Sequence, residues 1–167
     1  DKLLFFFFFS FFISSFVEGI SADKFFGNLN ISAEEKSSTA LRIIKSIKNL
    51  HEKGIFHGDL KSKNIIIWPD DIYLIDLDGV TCKRLVFNKK KKIIKDLQTL
   101  QYSWRTSKEN SEIFLKACQQ SFDAIFYKKL IAHFEDYQKK KARKAKKQDR
   151  YNLSTMFLNF IFISIRG

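Results

Sequence analysis

A carboxylate, an amide five positions later and a second carboxylate at the end of an apolar run stand close together mid-chain. They are Asp59, Asn64 and Asp76, within His57-Gly58-Asp59-Leu60-Lys61-Ser62-Lys63-Asn64 and after Tyr73-Leu74-Ile75. Between them, Ile65-Ile66-Ile67-Trp68 and Ile72-Tyr73-Leu74-Ile75 are short β-branched runs joined by Pro69-Asp70-Asp71. Such runs favour strands, and Pro-Asp-Asp favours a turn, so the spacing predicts a small antiparallel hairpin. Asn64 then falls just before its first strand and Asp76 just after its second, at the same end of one rigid unit. This layout suits phosphoryl transfer: one carboxylate orients a hydroxyl, while the amide and the other carboxylate hold magnesium on a nucleoside triphosphate. Asp78 competes with Asp76 for that role, and Asp76 is preferred because it directly follows the apolar strand.

The flanks predict helices. Ser32-Ala33-Glu34-Glu35 has capping-box spacing. Beyond it, Ala40, Ile43, Ile44, Ile47 and Leu50 recur at three- and four-residue intervals with Arg42, Lys45 and Lys48 outside, a pattern ended by Gly54 near Glu52 or Lys53. Downstream, Lys95 to Trp104 and Ser111 to Tyr137 read as helices. In the second, Ile113, Phe114, Ala117, Cys118, Phe122, Ile125, Phe126, Leu130 and Phe134 form a stripe that reads as core. Residues 138–150 continue as a charged helix or frayed tail, and Leu153 to Ile165 is apolar but short for a bilayer span. The opening Leu3 to Val17 reads chiefly as a buried strand followed by a linker; a signal or anchor and low-complexity sequence are the alternatives. A first residue of Asp rather than Met leads us to expect a fragment or a processed chain.

At 167 residues the chain suffices for one domain with a real core. Its +12 charge is local. Residues 139–150 hold eight Lys or Arg against Asp149, and residues 83–96 hold seven against Asp96. The Lys89-Lys90-Lys91-Lys92 run reads as a solvated loop, or more sharply as attraction to an anionic membrane surface. The run at 139–147 lacks interleaved aromatics, so nucleic acid is not expected as a partner. Cys82 and Cys118 lack metal spacing, which fits a reduced, intracellular protein. His51, His57 and His133 lack zinc-type partners, and Ser62 lacks the pattern of an activated nucleophile.

At His57–Asn64 and Asp76 the chain resembles the protein-kinase-like superfamily. His-Gly-Asp-Leu-Lys-x-x-Asn followed by Leu-Ile-Asp-Leu-Asp is most similar to the bacterial lipopolysaccharide core (Kdo/heptose) kinases, over roughly residues 16–125 and including Leu50–Gly54 and Lys95-Asp96-Leu97. The resemblance implies an α+β, mainly helical kinase-like C-lobe with a small β-hairpin beside the catalytic loop. It assigns Asp59 as the base or orienting group and Lys61 to the transferring phosphate. Asn64 and Asp76 would bind magnesium, with Glu18 at the hinge to the ATP-binding lobe and His57 bracing the loop.

The departure from that family lies upstream. No glycine-rich phosphate loop and no strand lysine paired with a helix glutamate are found before Glu18, so the nucleotide lobe is expected to be largely absent. The expected organisation is an apolar segment at 1–17, a C-lobe at 18–138, a basic helix or tail at 139–150 and an apolar tail at 151–167. The expected function is ATP- and magnesium-dependent phosphorylation of a hydroxyl on a lipopolysaccharide core sugar or glycolipid. Its expected place is the cytoplasm or the inner face of the cytoplasmic membrane, and this chain alone is expected to lack activity. The alternatives are a Ser/Thr protein or small-molecule kinase, and a non-catalytic, basic membrane- or RNA-binding remnant.

Overall fold

In the computed structural model, residues 18–69, 71–82, 88–105 and 107–164 are described, with side chains to residue 147. The expectation for residues 1–17 lies outside them. Short strand β1 (Ile20–Ser21) leads directly into helix α1 (Ala22–Gly27), and the long helix α2 (Ala33–Glu52) follows. Ser32 caps α2, its Oγ accepting from the Glu35 amide at 3.1 Å, and Gly54, with φ of +79°, turns the chain out after Lys53. Ala40, Ile43, Ile44 and Ile47 are buried along α2 as their spacing predicts, while Leu50 is half-buried.

The hairpin forms as expected: β3 (Ile65–Ile67) pairs antiparallel with β4 (Ile72–Leu74), Ile65 opposite Leu74 and Ile67 opposite Ile72. β1 adds to the free side of β3, with Ile20 opposite Ile67. A second small sheet pairs β2 (Ile55–Phe56) with β5 (Thr81–Cys82) and so ties the chain entering the loop to the chain leaving Asp76. Neither β5 nor the short helix α1 was expected. α1 has six residues, too few to show a helical period, yet it buries Ala22, Phe25 and Phe26.

Two helix assignments need correction. α3 spans Lys89–Trp104, so the four lysines are its first turn rather than a loop. Lys89 Nζ donates to the Glu52 carbonyl at the end of α2 (3.2 Å), where a cation meets the unpaired carbonyls of a helix C-terminus. Lys92 Nζ donates to Thr81 Oγ1 at 2.8 Å and lies 5.4 Å from the Phe56 ring centroid. The single helix expected at 111–137 is two: α4 (Lys108–Ser121) and α5 (Ala124–Ser164). Asp123 makes the break, since its Oδ1 accepts from the Phe126 amide at 2.8 Å and starts a new helix. The turn throws Ile125 out to 72% exposure, whereas Ile113, Phe114, Ala117, Cys118, Leu130 and Phe134 are buried.

The helices enclose one apolar core. Trp104 packs tilted against Phe26 at 4.0 Å and meets Phe114 at 5.6 Å, and Phe114 meets Phe134 at 6.2 Å, so α1, α3, α4 and α5 converge on one aromatic cluster. α2 packs lengthwise on α4. The whole is an α+β, mainly helical fold.

Candidate active site

The hairpin fixes the geometry. Asn64 ends a single 3₁₀ turn (Ser62–Asn64) and enters β3; its carbonyl accepts from the Ile75 amide at 3.0 Å, closing the pair beside Asp76. Asn64 is buried, and its Nδ2 donates to the Asp59 carbonyl (3.1 Å) and to Asp76 Oδ2 (3.2 Å). One amide therefore links the loop carboxylate residue to the post-strand carboxylate. Asp76 has φ of +62° and ψ of +60°, a left-handed conformation that an L residue other than glycine rarely adopts. That bend aims its side chain back at Asn64. Asp78 is exposed in the following 3₁₀ turn.

Lys61 Nζ donates to Asp59 Oδ2 at 2.6 Å, with both side chains nearly half exposed. A pair so placed adds little to stability. It leaves a carboxylate and an ammonium side by side at an open surface. Asp59, Lys61, Asn64 and Asp76 thus come together as expected from sequence. Glu18 does not join them. It is exposed, and the register of β1 on β3 sets it beyond Ile67, at the turn end of the hairpin, away from Asn64.

The loop is held from below by a residue to which sequence reasoning gave no role. Asp96 on α3 is 1% exposed. Its Oδ2 accepts from the His57 amide (2.9 Å) and pairs with His51 Nε2 (3.0 Å), and its Oδ1 accepts from the Gly58 amide (2.9 Å). Burial is the largest influence on Asp96 and opposes ionisation. The bonds from His51, His57 and Gly58, with the neighbouring His51 charge, outweigh it and hold the carboxyl below the usual aspartate value. A second tie lies about two turns further along α3, where Ser103 Oγ accepts from the Ser62 amide at 2.8 Å. The available signal was an acidic residue set among Ile93, Leu97 and Leu100 on an otherwise apolar helix face, since a buried carboxylate needs partners.

His57 braces the loop from the other side: Nε2 donates to the Ile75 carbonyl at 3.1 Å, which requires the proton on that nitrogen. Gly58 has φ of +83°, and a Cβ there would sit 2.5 Å from the Gly79 carbonyl oxygen. The glycine between His57 and Asp59 is therefore required by the close crossing of the loop over the Asp76–Gly79 segment. A cavity of about 340 Å³ opens behind the loop, lined by apolar side chains of α2 and β4 with His51, His57 and Asp96; the Asp59, Lys61, Asn64 and Asp76 group does not line it.

Among the described residues no three His, Cys, Asp or Glu groups converge into a metal cage. One carboxylate and one amide suit magnesium nonetheless, because it keeps several waters and takes its remaining ligands from substrate phosphates. Asn64 directs its nitrogen to Asp59 and Asp76, which leaves Oδ1, the atom a cation would bind, on the other side of the amide. The donor set fits the ion.

The model of the lipopolysaccharide kinase (Kdo/WaaP) family matches residues 22–122. A serine/threonine-protein kinase of Acanthamoeba polyphaga mimivirus is 36% identical over 61 residues, covering 36% of this chain and 11% of that protein. The serine/threonine-protein kinase fnkE of Dictyostelium discoideum is 46% identical over 41 residues, 25% of this chain and 3% of that protein. Among solved structures, WaaP in complex with acyl carrier protein superposes with a TM-score of 0.53 at 16% identity, covering 73% of this chain and 54% of that one, a likeness of fold. The chain spans about half of WaaP and a small part of either kinase.

Proposed function

We propose, from the premise that this chain belongs to the lipopolysaccharide kinase (Kdo/WaaP) family, that it carries the acceptor and metal side of an ATP-dependent phosphotransferase site. The acceptor is a hydroxyl of a lipopolysaccharide core sugar, met at the inner face of the cytoplasmic membrane. The observation that carries this reading is the Asn64 amide joining Asp59 to Asp76 beside the Asp59–Lys61 pair. Asp59 orients the acceptor hydroxyl and takes its proton. The acceptor oxygen bonds to the γ-phosphorus as the bond to the bridging oxygen of ADP breaks, and Lys61 balances charge on the moving group. Asn64 Oδ1 and the Asp76 carboxylate would hold magnesium, which would supply charge neutralisation on the phosphates. Glu18, at the turn end of the hairpin, marks the hinge side where adenine is received by backbone groups.

A second reading, a protein hydroxyl as acceptor, rests on the likeness to the two serine/threonine kinases. In the full-length protein, labelled phosphate from ATP should appear on purified core lipopolysaccharide and not on a generic protein substrate; the reverse labelling would select the second reading. Asp76→Ala should abolish magnesium-dependent turnover. Asp59→Asn should slow transfer about 10²–10⁴-fold while nucleotide affinity stays near wild type. Wild-type turnover in either variant would overturn the assignment.

A further inference from the structure

α5 does two different things along its length. Up to Gln138 it belongs to the body: Leu130 and Phe134 are buried, and His133 Nε2 bonds Gln98 Oε1 of α3 at 2.6 Å. Its root is then clamped. Tyr137 meets Tyr102 edge-on at 6.5 Å, Gln138 Oε1 accepts from Arg105, and Lys141 Nζ lies 3.6 Å from the Tyr102 ring centroid. Past that clamp every residue to 147 is exposed. Lys139, Lys140, Lys141, Arg143, Lys144, Lys146 and Lys147 spread cations around most of the helix, leaving the side of Ala142 and Ala145 free of them, and Asp136, one turn before, is paired with Lys140 at 2.6 Å. The helix continues to Ser164, and its sequence from Tyr151 onward, rich in Leu, Phe and Ile, contains no charged residue.

We propose that residues 139–147 of α5 form a docking surface for an anionic lipid bilayer, used together with the uncharged run that follows on the same helix. The surface deepens the membrane location proposed above and rests on it, not on the phosphotransfer chemistry. The exposed cations give non-specific attraction to either polyanion, and one feature favours lipid over nucleic acid. An uncharged apolar run on the next turns has no use on a phosphate backbone, whereas a bilayer accepts both. That run, about 15 residues and hence about 22 Å of helix, is shorter than the roughly 30 Å hydrocarbon core, which fits insertion into one leaflet. Among the described residues no helix is long and apolar enough to cross a membrane. The lysine run of α3 is the weaker candidate, because Lys89 and Lys92 are turned back onto Glu52 and Thr81.

The test is co-sedimentation of the full chain with phosphatidylcholine vesicles, with and without phosphatidylglycerol. Binding should require the anionic lipid and weaken with salt. Changing Arg143, Lys144, Lys146 and Lys147 together to Gln leaves the Tyr102, Gln138 and Lys141 clamp in place and should lower partitioning about a hundredfold or more, with circular dichroism unchanged. Equal binding to neutral vesicles, undiminished binding by the quadruple variant, or binding to a polynucleotide with none to vesicles would each overturn the proposal. Asp76→Ala should leave vesicle binding unchanged, which separates failure of this surface from failure of the active-site reading.

Discussion

Removing the Asp96 carboxylate leaves two loop amides and a histidine N–H directed at a space without an acceptor. Asp96→Ala should therefore cost at least about 3 kcal/mol, since each of three buried donors left without an acceptor costs about 1–3 kcal/mol, read from urea denaturation. The pH dependence has a definite sign. Because the folded-state pKa lies below the ordinary 3.8, ionised Asp96 contributes stability that is fully present above that value and is lost as pH falls through the lower folded pKa. The stability gap between wild type and Asp96→Asn should narrow as pH falls below about 3.8. Gly58→Ala should lose about 1–3 kcal/mol from its left-handed backbone alone, with the Gly79 carbonyl clash added, and thermal melting would show it.

At the scale of elements, caps decide where helices begin more than apolar period does. The stripe from Ile113 to Phe134 runs through the α4–α5 junction without a break in its sequence, because Phe122 and Phe126 still pack on the core on both sides of the turn. Asp123 was the local sign of a new N-terminus. Asp123→Ala should cost about 1 kcal/mol in denaturant unfolding. The hairpin was legible because short β-branched runs and a Pro-Asp turn agree on it. Helix α2 was legible from its cap, period and closing glycine. β1 and β5 were not, since two-residue strands carry no period, and they exist only through their partners Ile66–Ile67 and Ile55–Phe56. The roles of Asp96 and Ser103 were hidden for a related reason: they act across 39 and 41 residues of sequence, and no local pattern records such a contact.

For the molecule as a whole, α3 serves as the platform. Its first turn fastens α2 and β5, its middle carries Asp96 under the loop, Ser103 pins Ser62, and Trp104 closes the aromatic core. The four site groups, Asp59, Lys61, Asn64 and Asp76, therefore rest on a buried frame that sets their spacing before any ligand arrives. The central claim is that Asn64 and Asp76 hold the divalent cation that accompanies the nucleotide. Manganese titrated with ATP into isotope-labelled chain tests it most directly through paramagnetic broadening. The account predicts that the Asn64 side-chain amide and the backbone signals of Asp76 and Leu77 broaden first and that Asp76→Ala removes the effect; broadening centred elsewhere, or unchanged in the variant, would contradict it.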